Sequence, residues 1–293
     1  MLIDFEWARK NLPKRQDNSN KGSFGKLFAV IGSERYRGAA RLALEASLRG
    51  GAGYVYLACS EALCREFSAT YPEVIYKSIG CKDAFNEQTI EMISAEESCA
   101  TATLIGCGVG VSLGLYELCR KLLCTVGSTL VIDADAINSI AKYSPDPIEL
   151  LQSAKRKVIL TPHPLEFSRI SSLPVNEIEG DRVSVARDFA KKTGTVLVLK
   201  GHGTVVTDGE CINVNTTGTS ALAKAGSGDT LAGLLASLLA TRLADSVTLA
   251  SLAVFIHGMA GDRLAKEYSE YGVTPSDLPR EMARVIAQLE KND

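Results

Sequence analysis

A chain of 293 residues with 46% hydrophobic content can bury a large core, and no Pro/Gly/Ser-rich or highly charged linker divides it, so one domain over residues 1–293 is expected. Lys and Arg number 32 against 34 acids, a net charge of −2, which disfavours a nucleic-acid partner and points to a small-molecule substrate. No uninterrupted apolar stretch of about 18 residues occurs and residues 1–20 lack the apolar core of a signal peptide, so no membrane contact and a cytoplasmic location are expected.

The predicted elements alternate strand and helix. KGSFGK leads into the apolar run LFAVIG at 27–32, and a loop then reaches a helix opening at Gly38, where the small Ala39 and Ala40 would let a ring pack on the helix start. Buried strands follow at 54–58, 73–79 and 102–106, then at 128–133, 157–161 and 195–200, with amphipathic stretches such as AARLALEASLRG and YELCRKLLC between them. Short apolar strands separated by helices argue a mostly parallel sheet covered on both faces, with ligands gathered at the carboxyl ends of its strands. The 8 cysteines, with no CxxC pair, read as reduced thiols.

The candidate motifs fall at those strand ends. GCGVG at 106–110 lacks the third-glycine spacing and the downstream acid of a dinucleotide fingerprint, and no GxxxxGK[ST] loop is present, so phosphates must be held by another device. VIDADAIN sets Asp133 and Asp135 at a strand mouth, where they could face a cation or polar substrate, or serve as turn and cap residues. In TPHPLEF two prolines hold His163 in an extended turn with Glu166 three residues on; HxxE with only 3 histidines in the chain makes no zinc site, and a packing role for His163 stays open. KGHGT at 200–204 offers a cation and two glycines to a phosphate, unless Lys200 merely snorkels at a sheet edge.

After Lys200 the pattern changes to a hairpin turning near Asp208 and Gly209, followed by helices over 229–241, 245–268 and 277–290. AGSGDTLAG at 225–233 is the most informative run. It places glycines and a carboxylate on the first turn of a helix that is apolar on nearly every face, and the unpaired N–H groups and positive dipole end of such a start hold anions. Asp229, beside that anion, suits removal of a proton from an attacking hydroxyl; the alternative is a helix cap.

KGSFG, GSxxYxGAAxLAxxASLRGGAG, GCGVG, VIDADAIN, LTPHPLEF, LKGHGT and AGSGDTLAG, in this order over residues 21–233, together closely resemble the NAD(P)H-hydrate dehydratase family of the ribokinase-like superfold. The resemblance implies a three-layer α/β sandwich and an ADP- or ATP-dependent lyase that dehydrates the S-form of hydrated NADH or NADPH with release of phosphate. Asp229 then resembles the catalytic base. Ala39, Ala40, Gly106, Gly108 and His163 resemble the face holding the hydrated nicotinamide nucleotide. Lys200, Gly201, His202, Gly203 and Thr204, with Gly226, Ser227 and Gly228, resemble the contacts to the adenine nucleotide. Glu166 takes the acid position of the NxxE magnesium motif of ribokinase-like sugar kinases, which implies Mg2+ organised through water. Asn20 departs from the histidine that many relatives place before the KG motif. No epimerase domain stands in front, so epimerisation of the hydrate is expected of a separate protein. The family often forms tetramers, for which helix faces such as 245–261 would be available. The rival reading is a small-molecule kinase of the same fold that phosphorylates a sugar or hydroxymethyl group and retains the ester.

Overall fold

The computed structural model describes residues 1–80 and 85–291. Its strands are β1 (Leu2–Ile3), β2 (Lys26–Val30), β3 (Tyr54–Cys59), β4 (Ile75–Ser78), β5 (Ala102–Ile105), β6 (Thr129–Ile132), β7 (Val158–Leu160), β8 (Val196–Leu199), β9 (Val205–Thr207) and β10 (Ile212–Asn215). They form one sheet in the order β1-β10-β9-β8-β7-β6-β5-β2-β3-β4. All neighbours are parallel except β9, which runs antiparallel to both β8 and β10. The order reverses between β2 and β5, and a crevice opens at such a switch point beyond the strand ends.

Successive strand residues feed opposite layers. Leu27, Ala29 and Ile31 enter one apolar cluster while Phe28 and Val30 enter the other, and Val196 and Val198 alternate with Leu197 and Leu199 in the same way. The first layer contains α1 (Phe5–Asn11), α2 (Arg37–Arg49), α3 (Glu61–Ser68), α11 (Ser227–Thr241), α12 (Ser246–Gly272) and α13 (Leu278–Glu290). The second contains α4 (Glu87–Glu97), α5 (Leu113–Leu123), α6 (Ala134–Tyr143), α7 (Pro147–Gln152), α8 (Pro164–Ser171), α9 (Val175–Gly180) and α10 (Arg182–Thr193). This is the mostly parallel sheet covered on both faces that the alternating pattern implied, and the three-layer α/β sandwich that the family resemblance implied.

Three expectations need correction. The run at 73–79 is not a buried strand: β4 is the sheet's outer strand, with Ile75 and Ser78 exposed and Tyr76 and Lys77 partly so, because only one side of it has a partner, and only Val74 and Ile79 flanking it are buried. The stretch 245–261 offers no free face for a second copy, since Val247 to Gly258 of α12 lies almost wholly within the first layer. The same helix continues past 268 to Gly272 through a break at Ser269, whose φ is 67°. The hairpin of β9 and β10 turns where expected, with Asp208 Oδ1 accepting from the backbone of Glu210 and Cys211. The cysteines within the described residues are thiols, Cys81 lying outside them.

Candidate active site

The expected motifs meet at one edge of the sheet. Asp133 follows β6, and its carboxylate makes no cap bond to α6 although it occupies the cap position. It turns instead into the crevice, where Lys200 Nζ donates to Oδ1 at 2.9 Å, Thr161 Oγ1 donates to Oδ1 at 2.7 Å and the Cys107 thiol donates to Oδ2 at 3.5 Å. The next residue, Ala134, has φ 45°, a strained conformation for a residue with a Cβ, and it aims the turn. Asp135 is not the turn or cap residue weighed as its alternative: its Oδ2 accepts from Gly110 N–H at 2.8 Å, 25 residues away, and fixes the 106–110 loop.

Lys200 ends β8 in the middle of the sheet, so it does not snorkel at an edge. Besides Asp133 it has Glu166 Oε2 at 3.9 Å. Glu166 and His163 form a reciprocal cap on α8: the His163 N–H donates to Glu166 Oε2 at 2.9 Å, while His163 Nδ1 accepts from the backbone of Leu165 and Glu166. Burial raises the Glu166 carboxyl, opposed by the Lys200 charge, and burial together with Lys200 lowers the His163 imidazole.

Gly226, at φ 103°, is the N-cap of α11, a left-handed position open to glycine, and a Cβ there would stand 2.5 Å from Leu42 Cδ1. Asp229 therefore lies in the first turn without capping it. The start of the helix is held from behind by His257, whose Nε2 meets the Ser227 carbonyl at 3.0 Å and Thr230 Oγ1 at 3.2 Å. Burial drives His257 down to about 4, so the ring is neutral. Ser227 Oγ, in contrast, is buried with no hydrogen-bond partner among the described residues, a hydroxyl free to meet a ligand at a dipole's positive end.

Asp229 closes the cluster. One ligand atom each from Cys107, Asp133 and Asp229 lie within 4.8 Å of one another. Burial, with the Asp133 charge adding to it, pushes the Asp229 carboxyl up to about 7, against the pull of Lys200 and of a Cys107 hydrogen bond. A carboxylate tuned to neutrality is suited to proton transfer at physiological pH. The soft thiol and the ammonium already serving Asp133 make this trio a poor place for Mg2+, which prefers oxygen and water.

Beside the cluster, a cavity of about 420 Å³ is lined by Lys200 to His202, Thr204, the loop from Thr217 to Ser220, and Ser227 and Gly228 of α11. Its size suits a small ligand. Lys200 and Gly228 touch both spaces: a Cβ on Gly228 would come within 3.3 Å of Lys200 Nζ. On the other flank, the Cys107 carbonyl accepts from Gly32 N–H at 2.8 Å, and a Cβ on Gly108 would meet Ala39 Cβ at 2.6 Å, so the 106–108 loop and the α2 start form one wall. Gly106, at φ 121°, lets that loop press on the Asp133 carbonyl, 2.0 Å from where a Cβ would be. Ala40 is fully buried with its methyl against Gly32, so it supports this wall from beneath instead of lining it. In the 200–204 loop, Arg182 Nη2 donates to the carbonyls of Leu199 and Lys200, Thr204 Oγ1 bonds within the loop to Gly201, Gly203 is half-buried, and His202 is exposed.

Sequence reasoning gave no site role to Cys107, His257 or Arg182. Only Cys107 carried a signal, standing between the two glycines already singled out.

A mostly parallel three-layer sandwich, with a glycine-opened helix start, a buried cation and a carboxyl raised toward neutrality gathered at one edge of its sheet, defines a protein of ribokinase-like fold. A family profile described as NAD(P)H-hydrate dehydratase matches residues 27–284, and the chain belongs to that family. Among curated relatives, the ADP-dependent (S)-NAD(P)H-hydrate dehydratase of Bacillus subtilis is 32% identical over 287 residues, covering 97% of both chains. The bifunctional NAD(P)H-hydrate repair enzyme Nnr of Moorella thermoacetica is 31% identical over 294 residues, covering 99% of this chain but 54% of its own. The chain thus spans about half the length of several curated relatives it matches. Among solved structures, the ADP/ATP-dependent NAD(P)H-hydrate dehydratase of Bacillus subtilis, co-crystallised with ATP/Mg2+, superposes with a TM-score of 0.84 at 29% identity over 98% of each chain. A hydroxyethylthiazole kinase of Pyrococcus horikoshii shares the fold alone, at 16% identity and a TM-score of 0.58.

Proposed function

We propose that the chain, acting as one domain, dehydrates the S-form of hydrated NADH or NADPH at the expense of ADP or ATP. The observation that carries this reading is Asp229, raised to about 7 at the positive start of α11 and within reach of the walls built by residues 106–108 and 200–204. Asp229 takes the proton of the ring hydroxyl as its oxygen bonds to the terminal phosphorus, and the bond to the bridging oxygen breaks, releasing the shortened nucleotide. The backbone N–H groups of Gly226 and Gly228, the Ser227 hydroxyl and Lys200 stabilise the charge that develops. The phosphate then leaves the ring carbon with its electron pair, pushed by the ring nitrogen, and the adjacent carbon loses a proton to restore the dihydropyridine without redox change. Mg2+ supplies charge neutralisation on the phosphates; Glu166, whose oxygens already engage His163, would accept from its bound waters instead of ligating it.

Ala39, Gly106, Gly108 and His163 form the hydrate side of this proposal, and Gly201 to Thr204 the nucleotide side. We place the protein in the cytoplasm as a homotetramer, a state that light scattering of the purified chain would test. The decisive assay incubates hydrated NADH with ADP and with ATP in parallel. Return of reduced-nicotinamide absorbance with stoichiometric inorganic phosphate supports the reading. A stable phosphate ester without that return moves the chain to the small-molecule kinases.

A further inference from the structure

Outside the site just described, two sulfurs lie close together. Cys59 ends β3 and Cys64 lies in α3, and their Sγ atoms are 3.5 Å apart, each able to donate to the other. Cys64 Sγ also reaches the Cys59 carbonyl at 3.7 Å, a carbonyl that Ile79 N–H holds at 3.0 Å where β4 ends. Cys59 is buried and Cys64 half-buried, so an approaching reagent meets Cys64 first. The Cys59 thiol, as hydrogen-bond donor, favours the thiolate of Cys64 over the opposing effect of burial. Charged and titratable neighbours are Glu61 on the same helix, and Tyr71 and Tyr76 from the adjoining segment.

The helix carrying Cys64 is tied to the hydrate-side wall. Leu63 Cδ1 lies 3.5 Å from where a Cβ on Gly32 would be, directly above Ala40. Glu66 pairs with Arg37, the first residue of α2, at 2.9 Å. Closing the sulfurs to a bond of about 2.05 Å draws α3 toward β3 by up to ~1.5 Å. That movement acts through Leu63 and Arg37 on the helix start that bears Ala39.

We propose that Cys59 and Cys64 are a redox-sensitive dithiol that closes to a disulfide under small-molecule disulfides and thereby alters hydrate binding at the start of α2. The Cys64 thiolate attacks one sulfur of the reagent and expels its partner as a thiolate. Cys59 then gives its proton to solvent and attacks Cys64 Sγ, expelling the second thiolate. The net change is one protein disulfide and two small thiols for two protein thiols and one small disulfide. The effect on hydrate binding rests on the function proposed above; the bond itself does not.

The test incubates the folded protein with excess oxidised glutathione, then blocks remaining thiols and digests with trypsin. Both cysteines fall in the single peptide 50–65, which contains no other. Expected is that peptide lighter by two hydrogen atoms and unblocked, with dithiothreitol reversing the change. A blocked Cys64, or a lasting glutathione adduct on it, overturns the dithiol. In the same samples the KM for the hydrate should shift at least twofold in oxidised wild type and return on reduction, while Cys64→Ser ignores the reagent. A closed disulfide with unchanged KM, or an equal shift in Cys64→Ser, overturns the coupling. If no hydrate is turned over at all, the mass change still decides the bond.

Discussion

Asp229→Asn probes the buried carboxyl through both stability and rate. In the unfolded chain this carboxyl ionises near 3.8, the ordinary value for aspartate, whereas in the fold burial raises it to about 7. Between those values the folded protein holds a proton that the unfolded chain has lost, so stability falls as pH rises through the window. The fall is about 1.4 kcal/mol per pH unit and ~4 kcal/mol in total, an order-of-magnitude figure. Asparagine has nearly the same shape and no charge, so the variant lacks this loss. Melting curves of variant and wild type should run close together at about pH 4 and separate toward pH 8, where the variant is the more stable. With an unfolding entropy of roughly 2 cal/mol/K per residue, ~4 kcal/mol in a chain of this length corresponds to a Tm about 7 °C higher. Calorimetry at about pH 4 and pH 8 measures the separation. Turnover of the same variant should drop by roughly two to four powers of ten, and wild-type kcat/KM should fall tenfold per unit below about pH 7. A Tm difference that ignores pH would refute the burial argument, and normal turnover would remove Asp229 as the base.

Two further substitutions separate binding from folding. In Gly228→Ala the new methyl comes within 3.3 Å of Lys200 Nζ, which Asp133 holds at 2.9 Å, and this tight contact offsets the roughly 0.5–1 kcal/mol by which alanine favours a helix over glycine. Tm should change little while the nucleotide KM rises at least about tenfold, because the methyl stands where phosphate must approach the backbone. Lys200→Met removes the cation from Asp133, which is 1% exposed, and should cost about 3–5 kcal/mol in chemical denaturation. Adding Asp133→Asn should recover most of that loss, and failure to recover it would deny the pair its structural weight.

The sheet was legible because its strands are buried on both faces and therefore read as continuous apolar runs. β4 was misread for the same reason, since EVIYKSI is apolar enough to pass for an interior strand although its partner lies on one side only. β1 escaped notice because two residues carry no pattern; only its parallel pairing to β10, with Ile3 opposite Asn215 and Thr216 Oγ1 just beyond donating to the Ile3 carbonyl, makes it a strand. At the site, glycines and prolines announced the turns, and the turns announced Asp133, His163, Lys200 and Asp229. Side-chain direction was not announced. Nothing in VIDADAIN says that Asp133 leaves its helix for Lys200, or that His257, 30 residues from Ser227, braces the anion-facing turn.

Those directions explain why the acids of one crevice can do different work. Asp133 and Glu166 share Lys200, and each also accepts hydrogen bonds, from Thr161 and from the His163 backbone, so their oxygens are committed to holding the turn ends in place. Asp229 is more exposed than either, yet among the described residues it forms no ion pair, and burial with the Asp133 charge raises it to about 7. One lysine is thus paired with two carboxylates while the third, unpaired, is left in the range that suits a proton acceptor. Moving the cation by one residue along β8 would reverse the alternation of its side chain and break the pairing with Asp133. The carboxyl tuned to about 7 depends on the register of a strand as much as on its own position in α11.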